Sequence, residues 1–214
     1  MSDVVTHPGW AAQLAVHAAV RRDTARLVHV LGRAASEIDA RAIVTFWSRL
    51  AEQLHHHHQT EDSDVWPLVR SVLGRDVDAV LDGVNAEHAL MVSAMSAVDV
   101  TMSDLDNASS ERGAAADAVV HFQEVVTDHL DHEEQTALPL LPLVLDRQAM
   151  ADFFARHEGE MSPELFLPWI LDGAPTPVVE RFVVPLPEHI RSMLIEEWQP
   201  ARRRLVEAIG VDRP

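Results

Sequence analysis

The chain has 214 residues and a formal net charge of −17, because 34 acidic side chains face only 17 basic ones, all of them arginine. This balance disfavours partners with an anionic surface, so nucleic acid and membrane lipid are not expected to bind. Cysteine is absent, which excludes disulfides, zinc–thiolate sites and iron–sulfur clusters, whereas histidine is abundant at 13 residues.

Helical periodicity dominates the sequence and predicts an all-α fold. Four long helices are predicted at residues 8–35, 40–73, 76–105 and 111–145, the second of them kinked near Pro67. Asp39 is the expected N-cap of the second helix, and Gly74 is its expected end. Because the connections are short, the four helices predict an up-down-up-down bundle over residues 8–145.

Residues 146–214 are rich in proline and aromatic side chains and predict a C-terminal helical extension of three or four shorter helices. The last of these is expected at about residues 187–209. Amphipathic stretches at 150–157 and 190–209 favour packing of the extension on the bundle, since so much exposed apolar surface would promote aggregation. We expect the extension to restrict substrate access or to form a homodimer contact, and to supply no ligand.

The sequence has no run of about 18 apolar residues, so no transmembrane helix is predicted. Its first residues lack the basic segment and apolar segment that are typical of a secretory signal. We therefore expect a cytoplasmic protein with no membrane contact.

Each long helix has an apolar stripe at the spacing of a bundle seam, and each stripe contains one histidine. Two of the stripes add a glutamate one turn later. The ionisable residues expected to face the core are His17, His57, Glu61, His88, His129 and Glu133. In the histidine run 55–58, only His57, or less favourably His58, is expected to face the core, and His55 and His56 should contact solvent.

These six side chains are expected to lie at one level of the bundle. Two residues of an antiparallel hairpin are level when their sequence midpoint lies at the turn. The midpoints of consecutive stripe histidines fall in the first and third predicted connections and, for the second, beside Gly74. The pattern H-x-x-x-E also occurs twice, each time with a proline six residues after the glutamate, at Pro67 and Pro139. The two halves of the bundle therefore predict a symmetric set of side chains.

Buried carboxylates are very costly without a compensating charge, so the convergent set predicts a metal site. Imidazole and carboxylate without sulfur suit non-haem iron, manganese or zinc. Six side chains exceed the four that one tetrahedral zinc requires, which favours two metal ions bridged by the two glutamates.

The order His, H-x-x-x-E, His, H-x-x-x-E on four helices resembles the hemerythrin-like, or HHE cation-binding, family over about residues 10–145. The resemblance implies a bundle that holds two iron ions as an oxo- or hydroxo-bridged centre, with O₂, H₂O₂ or NO as small-molecule partners. The ligands that it implies, carried over by position, are His17, His57, Glu61, His88, His129 and Glu133.

One position departs from the oxygen-carrying hemerythrins, which have a second histidine four residues after the first on the third helix. This chain has Val92 there. One terminal ligand is therefore unassigned, with Glu87, His132 or a water molecule as the expected substitutes. A more open iron disfavours reversible O₂ transport and favours redox turnover.

The first functional hypothesis is a non-haem di-iron protein that reacts with peroxide or O₂, as a catalase-like oxidoreductase if it is an enzyme. The alternative is a module that senses or binds O₂, NO or iron without turnover and moves the extension in response. A third is a structural or storage role in which the metals only stabilise the bundle.

Overall fold

The structure, a computed structural model, describes residues 8–33, 39–105, 112–144 and 162–210. The described residues form helices and short connections and include no strand, so the all-α prediction is confirmed. The α-helices are α1 (Pro8–Leu31), α2 (Ala40–Thr60), α3 (Trp66–Leu73), α4 (Asp78–Leu105), α5 (Arg112–Thr136), α6 (Leu141–Val144), α7 (Pro163–Leu171), α8 (Thr176–Val183), α9 (Glu188–Met193) and α10 (Gln199–Ala208).

The four long helices form the predicted up-down-up-down bundle. Helix α1 packs against α2 and α5, and α4 packs against the same two helices, so the four enclose one core. Fully buried side chains such as Leu27, Phe46, Met91 and Phe122 fill that core from each helix in turn. Burial of a side chain of this size contributes about 1.5–3 kcal/mol relative to exposure, which is why the apolar stripes determine how the helices face.

The second predicted helix continues from α2 through a π-helical turn, Glu61–Val65, into α3. The backbone N–H of Trp66 donates to the carbonyl of Glu61, five residues earlier. Pro67 has no N–H to donate and its ring crowds the preceding turn, which explains the wider spacing at this place. The expected kink is thus a π turn that ends just before Trp66.

The ends of the predicted helices differ by a few residues from those observed. Asp39 caps α2 as expected, since its Oδ1 accepts hydrogen bonds from the backbone N–H of Arg41 at 3.0 Å and of Ala42 at 3.3 Å. Gly74 ends α3 with φ of 72°, but a 3₁₀ turn, Gly74–Val77, precedes α4. The first predicted helix already ends at Leu31.

The fourth predicted helix, expected at 111–145, is interrupted. Helix α5 ends at Thr136, and a 3₁₀ turn, Leu138–Leu140, joins it to the single turn of α6. Pro139 and Pro142 each lack the N–H that a continuous α-helix would use here. The predicted loop at 106–110 and most of the break predicted at 36–39 lie outside the described residues.

The described part of the extension packs on the bundle. Helix α7 contacts α1, and α10 contacts α2. Trp169, Ile170 and Leu194 join the same apolar core as the bundle residues. Helices α9 and α10 are joined by a second π turn, Leu194–Trp198, followed by Pro200 as the first is followed by Pro67. The amphipathic stretch predicted at 150–157 lies outside the described residues.

A buried carboxylate on α1 holds the extension in place. Asp23 accepts hydrogen bonds from Trp169 Nε1 at 3.0 Å and from Arg202, both of which belong to the extension. Asp172, at the end of α7, accepts from Arg26 of α1 at 2.6 Å. Such a charge is tolerated in a protein interior only when it is paired and hydrogen-bonded, so these contacts depend on one another.

Among the described helices, none is both long enough and apolar enough to cross a membrane.

Candidate metal centre

The structure brings all six side chains predicted for the site into one buried layer of the bundle. Together with His58 they form two adjoining groups of candidate ligands, and in each group the candidate ligand atoms lie within 4.8 Å of one another. We call them the first group (His17, His57, Glu61 and Glu133) and the second group (His58, His88 and His129). The bundle core lies on one side of this layer, and a smaller apolar cluster that includes Trp66, Leu81 and Leu138 lies on the other.

Our expectation that only one of His57 and His58 faces the core is wrong. The two residues are 7% and 6% exposed, and the His58 ring stacks on His88 with the ring centroids 4.4 Å apart. Consecutive residues point about 100° apart on a helix, which brings His57 to the first group and His58 to the second. An apolar stripe cannot reveal such a pair, although the run of four histidines could have suggested it.

Glu87 and His132 contact the site from outside. The Glu87 carboxylate accepts hydrogen bonds from Nδ1 of His129 at 3.0 Å and from Nδ1 of His132 at 2.7 Å. Glu87 thereby fixes the orientation of the His129 ring. The third ring beside His88 and His129 is that of His58. His55 is exposed, and His56 contacts Thr60 at the edge of the helix.

The two glutamates of the first group also reach histidines of the second group, each in a different way. Glu61 spans them with two oxygens, since Oε1 is 3.3 Å from His57 Nε2 and Oε2 is 3.6 Å from His88 Nε2. Glu133 presents one oxygen to both, because its Oε2 is 3.3 Å from His17 Nε2 and 3.4 Å from His129 Nε2. Both carboxylates therefore face imidazole nitrogens of both groups.

Further polar side chains orient these candidate ligands. Nδ1 of His17 donates to Glu134 at 2.9 Å, and Nδ1 of His88 donates to Asp62 at 2.7 Å. A carboxylate on one ring nitrogen fixes the ring and leaves the other nitrogen free for a metal. Gln13 Nε2 donates to Glu61 Oε1 at 2.7 Å, which fixes one of the two carboxylates as well.

Burial dominates the electrostatics of the centre. It raises the pKa of Glu61 well above its usual range, and the neighbouring Glu133 adds to this increase. It lowers the pKa of His57 and His58 well below the usual value, so both rings are neutral and can donate a lone pair.

The charge of Glu133 is compensated by histidine in the metal-free chain. Burial acts to raise the pKa of Glu133, but His17 and His129 together lower it well below its usual range. Burial likewise acts to lower the pKa of His17, but Glu133 and Glu134 outweigh it and raise the value to about 9. The positive charge of protonated His17 therefore balances the negative charge of Glu133, as a bound cation would.

The donor set fits metal cations. Within the described part of the chain, the Nε2 atoms of all five buried histidines, Oε2 of Glu61 and both carboxylate oxygens of Glu133 are buried without a hydrogen-bond partner. A buried polar atom without a partner costs about 1–3 kcal/mol, so a cation bound among these atoms would stabilise the arrangement. Imidazole nitrogen and carboxylate oxygen are donors that suit iron, manganese and zinc.

A family model described as the hemerythrin HHE cation-binding domain matches residues 10–141, more than half of the chain. The chain belongs to this family. No protein with a curated description and no solved structure matches the chain significantly. The hemerythrin match ends within α6, so the whole extension lies outside the matched domain.

In this HHE domain, another histidine compensates for the valine at position 92, where oxygen-carrying hemerythrins have a histidine. Val92 is 58% exposed and points away from the centre, whereas His58 supplies the third imidazole of the second group from the neighbouring helix. The second group thus has three histidines despite the substitution. The argument against reversible O₂ transport that rested on a missing imidazole no longer holds.

Proposed function

We propose that the HHE domain binds two iron ions and that the iron-loaded protein reacts with peroxide or O₂, decomposing peroxide as an oxidoreductase. The observation that supports this is the convergence of five imidazole nitrogens and three carboxylate oxygens, all buried and without partners within the described residues. The donors divide into two groups, and both carboxylates of the first group also approach histidines of the second, which favours two ions over one.

The two groups differ in a way that favours reaction with a small molecule. The first group has two imidazoles and the second has three, while Glu61 and Glu133 of the first group also approach His88 and His129 of the second. The first group therefore leaves more of a cation's coordination sphere free for an exogenous ligand. Iron supplies one-electron redox chemistry and Lewis acidity when it is bound.

The chain's own residues prepare the site for this chemistry. Glu61 and Glu133 provide negative charge next to the bound cations, and the carboxylates of Glu134, Asp62 and Glu87 hold three imidazole rings in place. The apolar clusters on both sides exclude bulk water, which strengthens these electrostatic interactions. The chain has no tyrosine, so a tyrosyl radical takes no part.

The test is O₂ evolution from hydrogen peroxide by the iron-loaded full chain. We expect one O₂ for every two peroxides consumed, at a rate proportional to bound iron, and no reaction with zinc-loaded or metal-free protein. His121→Ala, at a histidine with a 66% exposed side chain, is the matched control and should retain full activity. Two bound irons per chain without peroxide consumption would reject the activity while leaving the metal site in place.

A second candidate is a sensing module, favoured by one feature of α1. This helix carries His17 and, less than two turns later, Asp23, which binds the extension through Trp169 and Arg202. A change in the position of His17 would therefore reach the extension through one rigid element. Limited proteolysis of the reduced and the oxidised iron forms tests this: sensing predicts different cleavage rates in residues 162–210, and equal rates contradict it.

A further inference from the structure

A separate cavity of about 230 Å³ lies between α2 and the extension. Arg49 and Gln53 of α2 line one side, and Trp169, Trp198 and Arg202 of the extension line the other. A cavity of about 150 Å³ accommodates benzene, so this one has room for a single aromatic ring with substituents. It includes residues from outside the matched HHE domain and belongs to this chain's own architecture.

Gln53 provides a polar group that lacks a partner. The residue lines the cavity and is only 6% exposed, and within the described residues its Oε1 accepts no hydrogen bond. Buried side-chain oxygens are normally hydrogen-bonded, so this amide has capacity for a ligand. A hydroxyl group suits it, because a hydroxyl can donate to the amide oxygen or accept from the amide nitrogen.

The walls of the cavity favour an aromatic ring. Trp169 directs its Nε1 to Asp23 at 3.0 Å, so the polar end of this indole is already used and its remaining surface is apolar. Leu165 and Pro168 extend the apolar wall on the same helix. Trp198 is the last residue of the second π turn, and π turns frequently occur at functional sites.

The charge at the cavity favours an anionic group. Arg49 and Glu52 have side chains 47% and 57% exposed and pair at 3.3 Å, an exposed contact worth little that a ligand could replace. Arg202 is compensated by Asp23 and Asp172, which leaves Arg49 as the cation open to a ligand. The exposed Glu164 also lines the cavity, but it faces solvent and is screened.

We propose that this cavity binds a one-ring aromatic carboxylate that carries a ring hydroxyl. The carboxylate pairs with Arg49, the ring packs against Trp169 and Trp198, and the hydroxyl bonds to the amide of Gln53. Gln53 precedes His57 by four residues, which places the ligand about 6 Å along α2 from the metal centre. The proposal does not rest on the iron chemistry, since binding is independent of turnover.

The experiment is titration calorimetry of the full-length protein as purified, with 4-hydroxybenzoate, benzoate and phenol as probes. We expect 4-hydroxybenzoate to bind most tightly. Arg49→Gln should weaken both acids about tenfold and leave phenol unchanged, because only the acids lose a charge-assisted contact. Gln53→Leu should weaken 4-hydroxybenzoate to the level of benzoate. Arg75→Gln, at an exposed arginine outside the cavity, is the control for loss of one positive charge.

Two results would overturn the proposal. One is the absence of saturable binding of all three probes at concentrations up to about 10 mM. The other is binding that neither Arg49→Gln nor Gln53→Leu alters, which would place the ligand elsewhere. Circular dichroism of each variant checks that its fold is retained, and either result leaves the iron proposal untouched.

Discussion

At the level of single residues, Gln13 distinguishes the two carboxylates of the centre. It donates to Glu61 Oε1, whereas both oxygens of Glu133 lack a hydrogen-bond partner among the described residues. Glu61 also meets the two groups with separate oxygens and must keep its carboxylate plane in one orientation to do so. We infer that Gln13 is a positioning residue for Glu61.

Gln13→Leu should therefore weaken binding of the second metal ion by about tenfold or more, since a hydrogen bond to a charged group is worth about 1.5–3 kcal/mol. The measurement is metal stoichiometry by elemental analysis across an iron titration. Gln59→Leu, at an exposed residue of α2, is the matched control. Identical titration curves for the two variants would show that Glu61 holds its position without Gln13.

The sequence left His58 out of the expected ligand set, whereas the structure places it in the second group. His58→Ala should reduce the metal content from two ions per chain to one, because it removes an imidazole from the second group. His55→Ala, three residues away on the exposed side of α2, should bind two. Full metal content in His58→Ala would show that the second group functions with His88 and His129 alone.

At the scale of helices, the sequence predicts those helix ends that depend on residues close together in the chain. The N-cap at Asp39 and the end of α3 at Gly74 follow from side-chain hydrogen bonding and glycine geometry, and both lie where predicted. The π turn at Glu61–Val65 could not be predicted, because a periodicity of 3.6 residues does not show where one extra residue is accommodated. The second buried histidine of α2 was missed for a related reason, since a single stripe assigns one residue per turn.

The contact between α7 and α1 depends on a carboxylate that is easier to ionise than usual. Burial acts to raise the pKa of Asp172, but the hydrogen bond from Arg26 and the charges of Arg22 and Arg202 outweigh it and lower the pKa. A carboxyl whose folded pKa is depressed stabilises the fold above its unfolded pKa, and that contribution is lost as the pH falls through the folded value.

We therefore expect the extension to loosen below about pH 4, near the unfolded pKa of an aspartate. Hydrogen exchange of α7 against pH measures this. In Asp172→Asn, the backbone amides of α7 should exchange faster at neutral pH. Their exchange should no longer speed up as the pH falls below about 4. Asp131→Asn, a surface aspartate with a side chain 57% exposed, is the control, and a step of equal size in Asp172→Asn would assign the acid response to other groups.

At the scale of the whole molecule, the sequence predicts the bundle and the level at which its ligands meet. Both follow from the apolar stripes and from the positions of the turns, which are local properties. The attachment of the extension could not be predicted, because it depends on pairs such as Asp23 with Arg202 that are 179 residues apart. Nothing near either residue in the sequence indicates its partner.

Metal removal should destabilise the entire molecule. The centre contains five buried imidazoles and two buried carboxylates, and bound cations would pair with both kinds of side chain at once. Binding at a concentration well above the dissociation constant adds about 3–4 kcal/mol, which corresponds to a Tm higher by on the order of 10 °C for a chain of this size. Calorimetry before and after chelation, and again after iron is restored, measures the shift. Equal melting temperatures with and without metal would contradict a metal-supported core.

The π turn that begins at Glu61 separates two functions of one continuous helix. It holds one residue more than an α-helical turn. The side chains after it are therefore rotated by about 100° from the directions they would have in an uninterrupted α-helix. The spacing from His57 to Glu61 lies entirely on the N-terminal side, and Trp66 and Val69, which fill the smaller apolar cluster, lie on the C-terminal side. Deletion of the exposed Ser63 would restore a regular helix, keep the ligands in phase, and rotate Trp66 out of its core. The extra residue therefore lets the candidate ligands face the metal layer while Trp66 and Val69 face the smaller apolar cluster.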